Sequence, residues 1–76
     1  MPHVNVRLYP GRSEEQKRAL TERIVDAFHE TMGIEATWVS VVIEEVEPDD
    51  WNTAVVEPEI RAKEATLYKK PDYLDR

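Results

Sequence analysis

His3-Val4-Asn5-Val6-Arg7-Leu8, then Tyr9-Pro10-Gly11, then Ser13-Glu14-Glu15-Gln16, is the stretch that decides the fold. Val4, Val6 and Leu8 alternate with His3, Asn5 and Arg7, the period-two pattern of a half-buried strand. Pro10 and Gly11 break it. Ser13 with Gln16 three residues on has the form of a capping box, in which hydroxyl and amide satisfy N–H groups at a helix start, and Glu14 and Glu15 sit favourably against the helix dipole. Leu20, Ile24, Ala27 and Phe28 then recur on one apolar stripe of an amphipathic helix. Gly33 is the expected stop. Trp38 to Val46, rich in β-branched residues, predicts a second strand. Its middle, Val41, Val42 and Ile43, is apolar on both faces, as for a strand covered on each side.

A strand, a helix of about 18 residues and a second strand make a β-α-β unit, because that connection exceeds the dozen residues a parallel crossover needs. The strands are therefore expected to be parallel, with a right-handed connection, and the class is α/β (α+β). Two strands and one helix do not close a core. The simplest cover for such a sheet is a second copy of the chain, pairing with the first into a four-stranded sheet. After Pro48-Asp49-Asp50 the pattern weakens: Trp51 to Val56 fits a helical turn or a short pairing strand. Pro58 to about Tyr68 predicts a C-terminal helix with proline in its first turn, ended by Lys69-Lys70-Pro71. There is no internal repeat, low-complexity segment or linker, so residues 1–76 are expected to form one domain.

Composition narrows the class of function. A chain of 76 residues buries only about 60–65% of the surface its unfolded form exposes. With no cysteines, neither disulfides nor a Cys-based zinc site can staple it, which leaves self-association as the source of additional core. A net charge of −6, from 16 acidic and 10 basic residues, argues against nucleic acid and against anionic lipid as partners. Small anionic ligands then need a local basic site. No apolar run approaches the ~18 residues of a membrane span, and no signal-peptide pattern opens the chain. The expected compartment is the cytoplasm.

Pro2 carries the most distinctive chemistry. If Met1 is removed, which a penultimate proline permits, Pro2 becomes a free secondary amine at the head of a strand. An internal proline nitrogen is a tertiary amide with no usable lone pair. A general base works best with a pKa near ambient pH, and an α-amino group starts near ~7.7–8.0. Proline is intrinsically more basic, and burial against an aromatic such as Trp51, with the guanidinium of Arg12 nearby, would lower it towards neutrality.

Taken together, Met1-Pro2-His3 before a strand, Gly11-Arg12-Ser13-Glu14-Glu15-Gln16-Lys17 at the helix start, Thr37 to Ile43, and Trp51 after the second strand resemble the tautomerase superfamily, specifically its short 4-oxalocrotonate tautomerase-like members. Glu47-Pro48-Asp49-Asp50-Trp51, the Glu59-Ile60 region and the tail Lys69-Lys70-Pro71-Asp72-Tyr73 are similar to the PptA-type subgroup. The resemblance spans nearly the whole chain. It implies a β-α-β protomer assembled as dimers, the preferred state here, or as trimers of dimers, with active sites around each N-terminus and no cofactor or metal.

On this resemblance Pro2 is the catalytic proline, moving a proton from the hydroxyl of an enol or dienol to carbon. Arg12 is the arginine that binds the carboxylate or carbonyl end of a small 2-oxo acid, and Trp51 is the aromatic wall of the pocket. Ser40 stands where 4-oxalocrotonate tautomerase has a second arginine, which favours a monocarboxylate over a dicarboxylate and allows substrates bearing an aryl group. The alternatives are a Pro2-dependent hydratase, dehalogenase or decarboxylase, or a non-catalytic oligomeric binding module.

Several residues keep two readings. Arg12 alone is an ordinary solvated loop residue, and Trp51 is equally a core or interface aromatic. Asp49 and Asp50 could activate a water, yet Pro-Asp-Asp is also a common turn. His3 and His29 lack metal-ligand spacing and read as surface or packing residues. Arg7 and Arg61 are both candidates to replace the missing second arginine.

Overall fold

Residues 1–75 are described by a computed structural model. Strand β1 (His3–Leu8) leads into helix α1 (Glu14–Met32) and strand β2 (Ser40–Glu45). The strands pair in parallel, with His3 opposite Ser40, Val4 opposite Val41, and so on to Leu8 opposite Glu45. The β-α-β unit expected from the sequence is therefore present. Paired residues in such a ladder share a face. Val4, Val6, Val41 and Ile43 lie under α1, where Val41 and Ile43 line a groove with Glu14, Lys17, Arg18, Thr21 and Glu22. His3, Asn5, Arg7, Ser40, Val42 and Glu44 form the other face.

Local chemistry sets the ends of α1. Ser13 Oγ accepts the Gln16 N–H at 3.1 Å and Gln16 Oε1 accepts the Ser13 N–H at 2.9 Å, the reciprocal capping box. Gly33 closes the helix at φ 68°, a left-handed conformation that glycine adopts without strain, and its N–H bonds to His29 O. The inward stripe differs slightly from the periodicity. Lys17, Thr21, Ile24, Val25 and Phe28 are half-buried, whereas Leu20 and Ala27 are exposed. Leu20 sits at the margin, beside Leu8 and Arg12. Lys17 lays its stem along the sheet while its amine pairs with Glu45 at 3.2 Å and Glu14 at 3.6 Å.

Strand β2 is shorter than Trp38 to Val46. The Trp38 N–H bonds to Glu35 O and the Val39 N–H to Ala36 O, both at 3.1 Å. That single 3₁₀ turn, Ala36–Trp38, takes up donors a strand would need. Nor is β2 covered on both faces within this unit, since Val42 is 36% exposed on the side away from α1.

The chain divides into two compact units, the first Met1–Glu45 and the second beginning at Val46. The second unit corrects the expected helix from Pro58 to Tyr68. Its helical segment is Asn52–Arg61, with Pro58 inside it, and a separate 3₁₀ turn follows at Glu64–Thr66. In an α-helix the Pro58 ring would clash with the carbonyl of Ala54. The segment is instead wound wide, as in the Ala62 N–H to Glu57 O bond at 3.1 Å, and this i→i+5 spacing relieves the clash. Val55 and Val56 from this segment, with Leu74, are the buried apolar residues among those described, and α1 buries none.

Lys70 Nζ reaches Glu64 Oε1 at 2.9 Å. This hydrogen bond and the lysine charge, with a lesser contribution from Arg61, hold the Glu64 carboxyl below the ordinary glutamate range. The pair is exposed and contributes little. Because the folded value is depressed, what stability it contributes is present above the unfolded glutamate pKa and is lost as pH falls through the folded one.

Replacing Ser13 by Ala removes one half of the capping box. The loss is expected to be about 1 kcal/mol, read as a lower urea midpoint with unchanged slope at fixed protein concentration.

Candidate active site

Parallel pairing places the starts of β1 and β2 side by side, and Pro2 is fixed there. Its carbonyl accepts the Ser40 N–H at 3.1 Å, which continues the ladder one residue before His3. Pro2 is half-buried while Met1 is 93% exposed. Beside them, His3 Nδ1 lies 2.6 Å from Ser40 Oγ. Pro2, His3 and Ser40 therefore form one cluster at the amino end of the sheet.

Arg12 is not part of it. The arginine sits in the loop between β1 and α1, exposed, on a concavity of about 230 Å³ with Leu8, Gln16, Lys17 and Leu20. Six residue steps from Pro2 to Leu8, at ~3.3 Å each, put those two residues ~20 Å apart. An arginine side chain cannot span that distance, so Arg12 does not approach the Pro2 of its own chain. The sequence places these residues ten positions apart, but the strand between them carries them to opposite ends.

Trp51 belongs to the second unit. It is half-buried, follows the 3₁₀ turn Pro48–Asp50, and donates its Nε1–H to Tyr73 Oη at 3.1 Å. Tyr73 was not singled out by side-chain chemistry in the sequence, although it lies in the tail that resembles the PptA-type subgroup. Asp49 and Asp50 occupy that same turn, where the Asp50 N–H bonds to Glu47 O at 2.9 Å and Asp50 O accepts the Thr53 hydroxyl at 3.2 Å. These are the contacts of a turn and helix start.

Both candidate replacement arginines have acidic neighbours. Arg7 Nε is 4.0 Å from Glu44, an ion pair too long for a hydrogen bond, and Arg61 Nε is 3.5 Å from Glu57. His29 lies exposed in the last turn of α1. His3 is exposed, in keeping with its reading as a surface residue, and its contact with Ser40 was not anticipated. The observed register, with Ser40 and not Trp38 opening β2, is what sets Ser40 opposite His3. Among the described residues, no group of three or more His, Cys, Asp or Glu could hold a metal ion, and no helix is long and apolar enough to cross a membrane.

Residues 2–60 match the family described as "Tautomerase enzyme", a match that begins at Pro2. The tautomerase PptA of Klebsiella pneumoniae (strain 342) is 39% identical over 74 residues, covering 96% of this chain and 97% of its own. That of Pectobacterium carotovorum subsp. carotovorum (strain PC1) is 35% identical with the same coverage of both chains. Among solved structures, TomN, a 4-oxalocrotonate tautomerase homologue in the tomaymycin biosynthetic pathway, superposes with a TM-score of 0.63 at 40% identity, over 66% of this chain and 77% of its own. The chain belongs to the tautomerase family.

The Trp51–Tyr73 bond can be tested alone. Tyr73→Phe deletes the acceptor and leaves the ring, and is expected to cost about 1 kcal/mol, read from the urea midpoint followed by tryptophan fluorescence.

Proposed function

We propose that the protein is a cofactor-independent enol–keto tautomerase of small 2-oxo acids, monocarboxylates and aryl-bearing ones included, in which the amine of Pro2 is the proton carrier once Met1 has been removed. The observation that carries this reading is Pro2 itself. It heads β1, is tied there by the Ser40 N–H at 3.1 Å, and is where the family match starts. A base attached to the end of a paired strand is held in place without cost at the moment of reaction.

In the proposed reaction the neutral Pro2 nitrogen takes the proton from the enol hydroxyl, electron density moves to form the C=O bond, and the ammonium returns the proton to C3. Nothing else is gained or lost. Desolvation in a closed pocket and a nearby guanidinium both disfavour the ammonium and keep the amine near working pH. Trp51 supplies the apolar wall and Ser40 one polar contact. Arg12 orients the substrate carboxylate.

Since ~20 Å of strand separates Pro2 from Arg12 of the same chain, the arginine at each site must come from another protomer. The proposal thus requires an oligomer, a dimer or a trimer of dimers. The absence of buried residues in α1 and the exposure of Trp38 and Val42 are consistent with surfaces that a second copy covers.

Two measurements test this. Mass spectrometry should find the mature chain starting at Pro2, and Pro2→Ala, leaving a primary amine, should lower kcat/KM on an aryl 2-oxo acid enol by ~10²–10⁴. Undiminished activity in that variant sinks the mechanism.

Arg12→Ala should remove about 1.5–3 kcal/mol of stabilisation, chiefly for anionic substrates. Co-refolding two impaired variants, Pro2→Ala and Arg12→Ala, should restore activity above that of either alone, because mixed oligomers regain sites with both groups. No recovery places both residues in one chain's site and contradicts the geometry.

A further inference from the structure

The pair at the amino end of the sheet has a direction that matters for substrate binding. A serine hydroxyl has one hydrogen to donate and two lone pairs to accept, and a carboxylate only accepts. If Ser40 gives its hydrogen to His3 Nδ1, it has nothing to offer an anion. If Nδ1–H donates to Ser40 Oγ across the 2.6 Å contact, the serine hydrogen is free to point outward. The neighbourhood favours the second arrangement whenever an anion is bound. The other charged groups on this face, Arg7 and Glu44, lie 4.0 Å apart and offset one another.

Position supports the same assignment. His3 is one chain step (~3.8 Å) from Pro2, and Ser40 is one strand spacing (~4.8 Å) across from His3. The Pro2 nitrogen is a main-chain atom at the strand end, one residue before the rung that carries this pair. The Ser40 main chain is itself fixed by its N–H bond to Pro2 O at 3.1 Å, which holds the hydroxyl at a set distance from the amine.

We infer that His3 is a positioning residue: it donates from Nδ1 to Ser40 Oγ and so turns the Ser40 hydroxyl onto a carboxylate oxygen of a 2-oxo monocarboxylate bound at Pro2. This rests on the Pro2 reading of the site and extends it. A single hydroxyl offers one donor, whereas an arginine offers a bidentate fork. The pair therefore suits one oxygen of that carboxylate, with Arg12 of another protomer engaging the other.

The test separates binding from turnover, using the mature chain that starts at Pro2. Binding is measured by calorimetry with phenylglyoxylate, a 2-oxo acid with no hydrogen to enolise, and turnover with the enol of phenylpyruvate. His3→Ala and Ser40→Ala should each weaken phenylglyoxylate about tenfold, as for loss of a hydrogen bond to a charged group. The double variant should be no worse than either single one. His3→Asn, whose amide can donate from near the Nδ1 position, should retain most of the affinity. In turnover the losses should appear in KM with kcat nearly unchanged.

Affinity indifferent to Ser40→Ala, or a His3→Ala defect that His3→Asn does not relieve, overturns the inference even if Pro2→Ala abolishes turnover. A protein that binds phenylglyoxylate through the pair but turns over no enol supports the pair and overturns the catalytic reading instead.

Discussion

The parallel pairing of β1 with β2 is the constraint from which the remaining geometry follows. Parallel strands cannot be joined by a tight turn, so the chain must cross back over the sheet, and α1 is that crossing. The arrangement places the two strand starts side by side and sends the first loop to the far end. Pro2, His3 and Ser40 are gathered by it, and Arg12 is carried away by it. An antiparallel hairpin of the same residues would have placed Ser40 at the opposite end of the sheet from Pro2.

The same constraint leaves the first unit thinly covered. One helix covers one face of two strands, and its inward residues are only half-buried. The other face mixes a polar row with Val42, and both strand edges lack a neighbour within the unit. Unpaired edges and half-covered sheets invite pairing with another chain. In the proposed assembly this follows a shared cause with the chemistry: the sheet that cannot close its core alone is also the sheet whose amino end lacks its own arginine.

Much of the fold was legible because its signals are local. Ser13 with Gln16, Gly33, and the alternation from His3 to Leu8 each state a backbone conformation within a few residues, and each is found as read. The misreadings came where backbone hydrogen bonding competes with side-chain pattern. Trp38 and Val39 have strand-like side chains but donate into a 3₁₀ turn. Pro58 marks a helix start by its usual preference, yet here it sits within a segment wound widely enough to admit it. Of the candidate site residues, the sequence did not disclose the arrangement. Sequence separation between Pro2 and Arg12 says nothing of distance, whereas a rise of ~3.3 Å per strand residue fixes it at once. His3 was set aside for want of ligand spacing, when its partner lay across the ladder and not along the chain.

The replacement of a second-strand arginine by Ser40 gains meaning from that ladder. An arginine there would bring a permanent charge and two parallel donors next to the amine. Serine brings neither. What it does bring is a hydroxyl whose orientation depends on a neighbour, and the register supplies His3 as that neighbour. A proton carrier at Pro2 needs its own charge state held near balance, and a permanent cation one strand away would press it further towards the neutral amine. A hydroxyl can hold a carboxylate without that added electrostatic pressure. In the proposed site, charge for binding is then left to Arg12 of another protomer, and orientation near the reacting carbon is left to the Ser40 hydroxyl and the residue that turns it.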